Sequence, residues 1–374
     1  MNTDISAMRK KIDGIDEELV SLFKSRMDIS KEIGVLKKQN NMAIQDSRRE
    51  QEVVDKAVDA VPTDMKAEAS ILMRSVMALS RGYQRGQLFD RNERLLPAAV
   101  PMKTEDVKCV YQGVPGAWGE QAARILFPEA DLSPVEFFED IFESVKRGTT
   151  DYGVVPIENS QTGAIGETYD LLRKFGCYVI GRTWIDIKHC LLSKEGAKLT
   201  DIRKVFSHPE GFRQCHKFLM DKSWDLIPCS NTAVAAMSAA ESGDNATAAI
   251  GSRLAAELNG LSLLAPDVMD SSNNRTSFVV IGPAPVYDES SNLVSITFSL
   301  AHRSGSLCEA LLPIMAAELN LTRIESRPSS SSEKYRFFAE IKGNIDDPIM
   351  AETLSQVAGM SEYLEVIGCY KVLE

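Results

Sequence analysis

Apolar side chains recur every three or four positions near the start of the chain: Met8, Ile12, Ile15, Leu19 and Leu22, then Ile29, Ile33 and Leu36. That period places them along one face and predicts a single long amphipathic helix. Asn40 and Asn41 interrupt it, a second helical run follows Asp46, and a third spans 64–84 after Pro62 and Thr63. Three helices with one stripe each give residues 1–86 a thin core, so this all-α unit is expected to dimerise to bury the stripe. Residues 87–106 place Pro97 and Pro101 among charges, with little periodicity, and read as a linker.

From Val107 the pattern changes. Strand-like apolar runs at 107–111, 152–156, 177–181, 204–207, 248–250 and 278–281 alternate with helical stretches. Such alternation predicts an α/β domain with open sheets over 107–283, long enough for two lobes with a cleft between them. Past Pro283 and Pro285 the order becomes strand (293–300), helix (306–319), two strands (322–327 and 335–341), helix (348–358) and strand (364–370). This βαββαβ order over 292–374 is the α+β, ferredoxin-like arrangement. Ser329–Ser332 reads as a loop between two of its strands.

Composition narrows the function classes. The 374 residues suit two or three domains. With 44% apolar and 25% charged residues the chain is globular rather than disordered. Its 42 Lys and Arg against 53 Asp and Glu leave a net charge of −11, which argues against nucleic acid or an anionic membrane as partner. No signal-like run opens the chain, and no stretch reaches about 18 uninterrupted apolar residues. A soluble, cytoplasmic protein is expected. The 7 cysteines are scattered without a CxxC pair, and the 4 histidines form no cluster with them, so neither a disulfide framework nor a metal or other cofactor is expected.

The helical unit offers candidate chemistry. At about 100° per residue, Arg26 and Lys37 differ by roughly 20° and share a face, whereas Arg9 lies roughly 100° away, toward a dimer partner. Asp46, Arg49 and Glu50 open the second helix, and Ser80 and Gln84 sit one turn apart on the third. Taken singly these are solvated helix charges. Together, Arg9-x-x-Ile12-Asp13-x-Ile15-Asp16, Arg26, Ile33-Gly34-x-x-Lys37 and Asp46-x-x-Arg49-Glu50 resemble the chorismate mutase family of all-helical dimers. The resemblance implies rearrangement of chorismate, a cyclic diacid, to prephenate. No proton moves in that reaction, so catalysis must come from holding a compact conformer and stabilising charge. By resemblance Arg26 and the partner's Arg9 hold the carboxylates, which the guanidinium fork suits better than lysine. Lys37 and Gln84 then donate to the breaking ether oxygen, Glu50 grips the ring hydroxyl, and Asp46, Arg49 and Ser80 complete the pocket. Because Gln84 is not a carboxylate, that step is expected to depend weakly on pH.

In the middle domain the singular strings are Tyr111-Gln112-Gly113-Val114-Pro115-Gly116-Ala117, Val155-Pro156-Ile157-Glu158-Asn159-Ser160, Ser207-His208-Pro209 and Asn273-Asn274-Arg275-Thr276-Ser277-Phe278. The glycine-rich turn is either a connection or an anion site at a helix start. Ser230-Asn231-Thr232 reads first as a helix N-cap, although a cap also presents hydroxyls to a ligand. His208 reads as a strand-end structural residue before a catalytic base. Glu158, Asn159 and Thr276 stand at strand ends, where ligands of open sheets bind. These strings resemble the prephenate dehydratase family, which implies a two-lobed, periplasmic-binding-protein-like α/β fold that removes water and carbon dioxide from prephenate to give phenylpyruvate. Thr276 matches the family's catalytic threonine. Asn159, Ser207, Gln214 and Thr232 match polar cleft residues, and Glu158 a nearby carboxylate. The family usually reads Thr-Arg-Phe where this chain has Thr276-Ser277-Phe278, with Arg275 displaced to the other side. Neighbours on a strand face opposite ways, so Arg275 shares the face of Ser277 two residues away. Either Arg275 reaches a substrate carboxylate, or another cation does, or the dehydratase is weak.

Residues 292–374 resemble an ACT domain, an amino-acid-sensing module. Gly305-Ser306-Leu307-Cys308 opens its first helix, and Glu325-Ser326-Arg327-Pro328 ends its second strand. By resemblance Gly305, Ser306, Leu307, Glu325, Ser326 and Arg327 hold L-phenylalanine at a dimer interface and mediate feedback inhibition. A glycine turn would let a zwitterion approach helix N–H groups. The order of units resembles bifunctional proteins performing two consecutive steps of phenylalanine biosynthesis, as homodimers or homotetramers. The alternatives are a working mutase joined to a domain that only senses its ligand, or a dehydratase that prefers arogenate.

Overall fold

The structure is a computed structural model describing residues 5–44, 46–86, 95–328 and 335–373. The Ser329–Ser332 loop, and 87–94 of the expected linker, lie outside the described residues. The chain divides into two compact units. One comprises Met1–Leu95, Ile296–Ile341 and Ile345–Glu365. The other comprises Leu96–Ser295, Lys342–Asn344 and Val366–Glu374.

The first unit opens with α1 (Ile5–Gln39), α2 (Ser47–Asp59) and α3 (Lys66–Gly86), the last preceded by a short 3₁₀ turn at Thr63–Met65. Helix α1 stops at the two asparagines: Asn40 donates its side-chain amide to the Leu36 carbonyl, and Asn41 takes a left-handed backbone, φ 51°. The Asp46 carboxylate accepts the Arg49 N–H at 3.0 Å and caps α2. The apolar stripe of α1 is not the seam that packs against α3. Met8, Ile12, Ile15, Leu19, Leu22, Ile29 and Leu36 are 53–69% exposed, while Met27, Ser30 and Gly34 are buried. Small residues let the two backbones approach: a Cβ on Gly34 would sit 2.9 Å from the Cα of Gln84.

In the second unit the order is β1 (Lys108–Gln112), α4 (Trp118–Leu126), β2 (Asp131–Val135), α5 (Phe138–Arg147), β3 (Tyr152–Asn159), β4 (Gly163–Ala164), α6 (Gly166–Phe175) and β5 (Tyr178–Asp186). It continues as β6 (Cys190–Ser193), β7 (Lys204–Ser207), α7 (Pro209–Gln214), α8 (His216–Met220), β8 (Asp225–Pro228), α9 (Thr232–Ser242), β9 (Thr247–Gly251), α10 (Arg253–Leu258), β10 (Ser262–Ala265) and β11 (Arg275–Gly282). Among the described residues one sheet runs β5-β11-β3-β1-β2, with β4 on β3, and a second runs β10-β6-β9-β7-β8. The chain crosses to the second lobe after β5 and returns as β11, which pairs antiparallel with both β3 and β5. That return sets Thr276 opposite Asn159 and Ser277 opposite Glu158.

The apolar pattern missed β2, β4, β6, β8 and β10. Three of these, β2, β8 and β10, are sheet edges whose side chains are largely exposed or half-buried, so no apolar run marks them. Where the sheet is buried on both sides the tolerance is small. A Cβ on Gly153 would lie 2.2 Å from Cγ2 of Ile141 on α5. Gly153→Ala is expected to cost about 1–3 kcal/mol by overpacking, read as a lowered thermal midpoint.

The C-terminal segment runs β12 (Leu293–Ser299), α11 (Ser306–Ala316), β13 (Leu321–Pro328), β14 (Tyr335–Lys342), α12 (Pro348–Met360) and β15 (Tyr363–Tyr370). Its sheet order, β13-β14-β12-β15, is that of the ferredoxin-like arrangement. Helix α12 packs on α3, with the Met360 methyl against Gly82. A last strand, β16 (Val372–Leu373), was not legible in the sequence and adds in parallel to β5 in the second unit.

Candidate active sites

Where α1 meets α3, Arg26 is half-buried and donates to the Ser80 hydroxyl and, at 3.4 Å, to the Val76 carbonyl. Burial pulls its guanidinium below the usual range, and among the described residues no carboxylate pairs with it. Gln84 is 8% exposed, and its Oε1 has no hydrogen-bond partner among the described residues. Lys37 donates to the Ile44 carbonyl, and Glu50 is gripped by Arg81 at 2.6 Å. The structure thus places Arg26, Ser80 and Gln84 along one helix interface. Arg49 is exposed and paired with Glu52 at 3.3 Å, Asp46 is spent on its cap, and Arg9 is exposed on α1.

The second unit holds a cleft of about 390 Å³ lined from both lobes. Asn159, Thr276 and Phe278 stand on one wall, and His208, Gln214 and Thr232 on the other. Asn159 is fixed by its own turn, because its Oδ1 accepts the N–H groups of Gln161 at 2.9 Å and Thr162 at 3.1 Å. Its amide therefore donates, to Asn274 Oδ1 and to Thr276 Oγ1, each at 2.9 Å. That bond takes one lone pair of Thr276 Oγ1 and leaves the hydroxyl proton free to donate. No Lys or Arg lines the cleft among the described residues. Instead the N-cap residues of four helices do: Ala117 of α4, Ile165 of α6, His208 of α7 and Asn231 of α9. Helix N-termini favour anions.

Three expected residues do not line this cleft. Ser207 is fully buried and donates to the Ile250 carbonyl at 3.1 Å. Glu158 turns to the other face of β3 and meets Arg182 at 3.1 Å. Arg275 is half exposed, ion-paired with Asp186 at 2.9 Å and set over the Trp184 ring. Arg182, buried on β5, instead brings its guanidinium to this face and donates through Nε to Ser277 Oγ at 2.6 Å. Arg182 rather than Arg275 is thus the cation beside Ser277, and neither of them lines the cleft. His208 acts as an N-cap, its Nδ1 accepting the Glu210 N–H at 3.1 Å while the ring lines the cleft.

Sequence reasoning missed His189, Glu210 and Trp118, which line the cleft. Arg213 holds the Glu210 carboxyl below its ordinary range, and Gln214 Nε2 donates to it at 3.0 Å. This turns Gln214 Oε1 toward His189 Nε2, 2.9 Å away, so that nitrogen carries the proton and Nδ1, buried without a partner, is an acceptor. Only the fold could reveal this, since no motif joins 189 to 214. Burial depresses the His189 pKa below 6.5. Between the depressed folded value and 6.5 the unfolded chain binds more protons, so stability contributed by neutral His189 is complete above that window and lost as pH falls through it. The thermal midpoint of the parent is expected to fall more between pH 7.5 and 5.5 than that of His189→Asn; equal slopes would contradict this.

In the C-terminal segment Gly305 takes φ 82° and caps α11, and the Ser306 hydroxyl donates to the Ala301 carbonyl at 2.8 Å. Glu325 and Arg327 share the half-buried face of edge strand β13, and Ser326 faces the other way. Among the described residues no helix is long and apolar enough to cross a membrane, and no three or more His, Cys, Asp or Glu side chains cluster as metal ligands would.

Fold and sites define a two-lobed α/β enzyme preceded by an all-helical one. Residues 109–286 match the family Prephenate dehydratase, and residues 8–85 the family Chorismate mutase type II. The bifunctional chorismate mutase/prephenate dehydratase of Escherichia coli is 29% identical over 372 residues, covering 97% of this chain and 95% of that protein. The chloroplastic arogenate dehydratase/prephenate dehydratase 2 of Arabidopsis thaliana is 34% identical over 71% of this chain and 73% of that protein. The crystal structure of the prephenate dehydratase of Arthrobacter aurescens in complex with L-Phe superposes with a TM-score of 0.65 at 27% identity, over 71% of this chain and 89% of that one. The chain belongs to the bifunctional chorismate mutase/prephenate dehydratases. It converts chorismate to prephenate and prephenate to phenylpyruvate, two steps of phenylalanine biosynthesis.

Proposed function

We propose that the helical unit (1–86) holds chorismate between Arg26 and Arg9 of a second copy, with Lys37 and Gln84 on the ether oxygen, Glu50 on the ring hydroxyl, and Asp46, Arg49 and Ser80 around them. The exposed α1 stripe supports a dimer, since burying it needs a partner surface. The two-lobed domain (107–283) takes prephenate. As the C–CO₂ bond breaks, its electron pair enters the ring, hydroxide leaves from the opposite carbon, and Thr276 donates to that oxygen. The observation that carries this is the Asn159–Thr276 hydrogen bond, which holds Thr276 Oγ1 as an acceptor and leaves its proton free for the leaving oxygen. Helix N-termini, Gln214 and Thr232 bind the carboxylates in place of a lining cation. Glu158, Arg182 and Ser277 brace the far side of the Thr276 strand, and Arg275 has no substrate contact. The test is purified protein given chorismate, with prephenate and phenylpyruvate both quantified: phenylpyruvate supports two working sites, and prephenate that accumulates without turnover supports a sensing domain. Arogenate offered beside prephenate decides the preferred substrate.

The C-terminal segment (292–374) acts in this reading as an ACT domain sensing L-phenylalanine through Gly305, Ser306, Leu307, Glu325, Ser326 and Arg327. The left-handed Gly305 turn before α11 supports it by opening helix N–H groups to a carboxylate. Saturating L-phenylalanine is expected to lower the dehydratase rate and raise the thermal midpoint; no change in either removes the sensor.

A further inference from the structure

Arg81 is only 6% exposed in its side chain, yet it sits between two carboxylates from distant parts of the chain. Its Nη1 meets Glu50 on α2 at 2.6 Å, and its Nη2 meets Glu309 on α11 at 2.5 Å. Arg303 grips Glu309 from the other side, with Nη1 to Oε1 at 2.9 Å. Two positive and two negative groups thus form one neutral cluster inside the first unit. Residues 80 and 84, neighbours of Arg81 on α3, belong to the proposed chorismate pocket. Burial would raise the Glu309 pKa, but Arg303 and Arg81 hold it below the ordinary range.

We propose that Arg81 is a positioning residue for the mutase step, and that Glu309 and Arg303 of the C-terminal segment set its hold on Glu50. This rests on the reading that Glu50 contacts chorismate. A buried guanidinium needs its partners. When Glu309 loses its charge, Glu50 is the one carboxylate among the described residues still paired with Arg81, and it is drawn away from the substrate hydroxyl. The first reaction of the chain is thereby tuned by a residue of its last segment, which touches no substrate.

The experiment uses the full-length chain. Glu309→Gln is expected to raise the KM for chorismate about three- to tenfold, the size of coupling common within one ion-pair network. Its kcat, and phenylpyruvate formation from supplied prephenate, should stay within about twofold. In a Glu50→Gln background the same substitution should have no further effect on KM, which loosened packing alone would not produce. Where Glu309→Gln does not fold, Arg81→Lys, which keeps the charge but cannot fork between two carboxylates, should show the same rise. An unchanged KM in Glu309→Gln, or in Arg81→Lys, overturns the relay while a damaged Glu50→Gln enzyme leaves the chorismate site standing. A Glu50→Gln enzyme equal to the parent removes the underlying reading and the relay with it.

Discussion

Arg26→Ala slows chorismate consumption by roughly a hundred- to several-thousand-fold, while phenylpyruvate formation from supplied prephenate stays within about twofold. The size follows from stranding a buried substrate carboxylate without its guanidinium, about 3–5 kcal/mol, at 1.36 kcal/mol per tenfold in rate. Arg26 has no carboxylate partner of its own among the described residues to absorb the change. Arg26→Lys should recover only part of the loss, because an ammonium lacks the planar fork. Steady-state assays of both steps on one preparation make the measurement. A mutase rate within threefold of the parent would remove Arg26 from the site.

Thr276→Val removes one hydroxyl at nearly constant volume. The expected result is a loss of about 10²–10³-fold in kcat for phenylpyruvate formation, as for removal of one preorganised donor to a developing oxyanion. Asn159 adds to the effect, since its amide, at 2.9 Å from Thr276 Oγ1, is left facing a methyl group. Thr276→Ser keeps donor and acceptor and should lie within about tenfold of the parent, the remainder reflecting a freer rotamer. The mutase rate on chorismate is the internal control. Thr276→Val with full dehydratase activity would require another donor to the leaving oxygen.

Legibility in the sequence tracked how local each cause was. The long helix, its stop at Asn40 and Asn41, the helix that follows Asp46 and the cap within Ser230-Asn231-Thr232 depend on residues within a turn of one another, and the chain alone predicted them. Interior strands β3, β9 and β11 announced themselves as apolar runs. Edge strands did not, because an exposed edge needs no such run. The α1 stripe was visible, but the face that meets α3 was not: Met27, Ser30 and Gly34, not the exposed stripe, are the buried positions of α1.

The sequence by itself determined the order of units, the periodic elements and the strings around Arg26, Asn159 and Thr276, since each is written in spacing or in a short motif. Tertiary structure alone decided which groups meet across long gaps. Arg182 reaches Ser277 across 95 positions, Asn159 reaches Thr276 across 117, and Arg81 reaches Glu309 across 228. Such meetings depend on how sheets return and helices pack, and a period of two or 3.6 carries no information about that. The proton on His189, the bond from Asn159 to Thr276 and the hold on Glu50 all follow from those packed contacts.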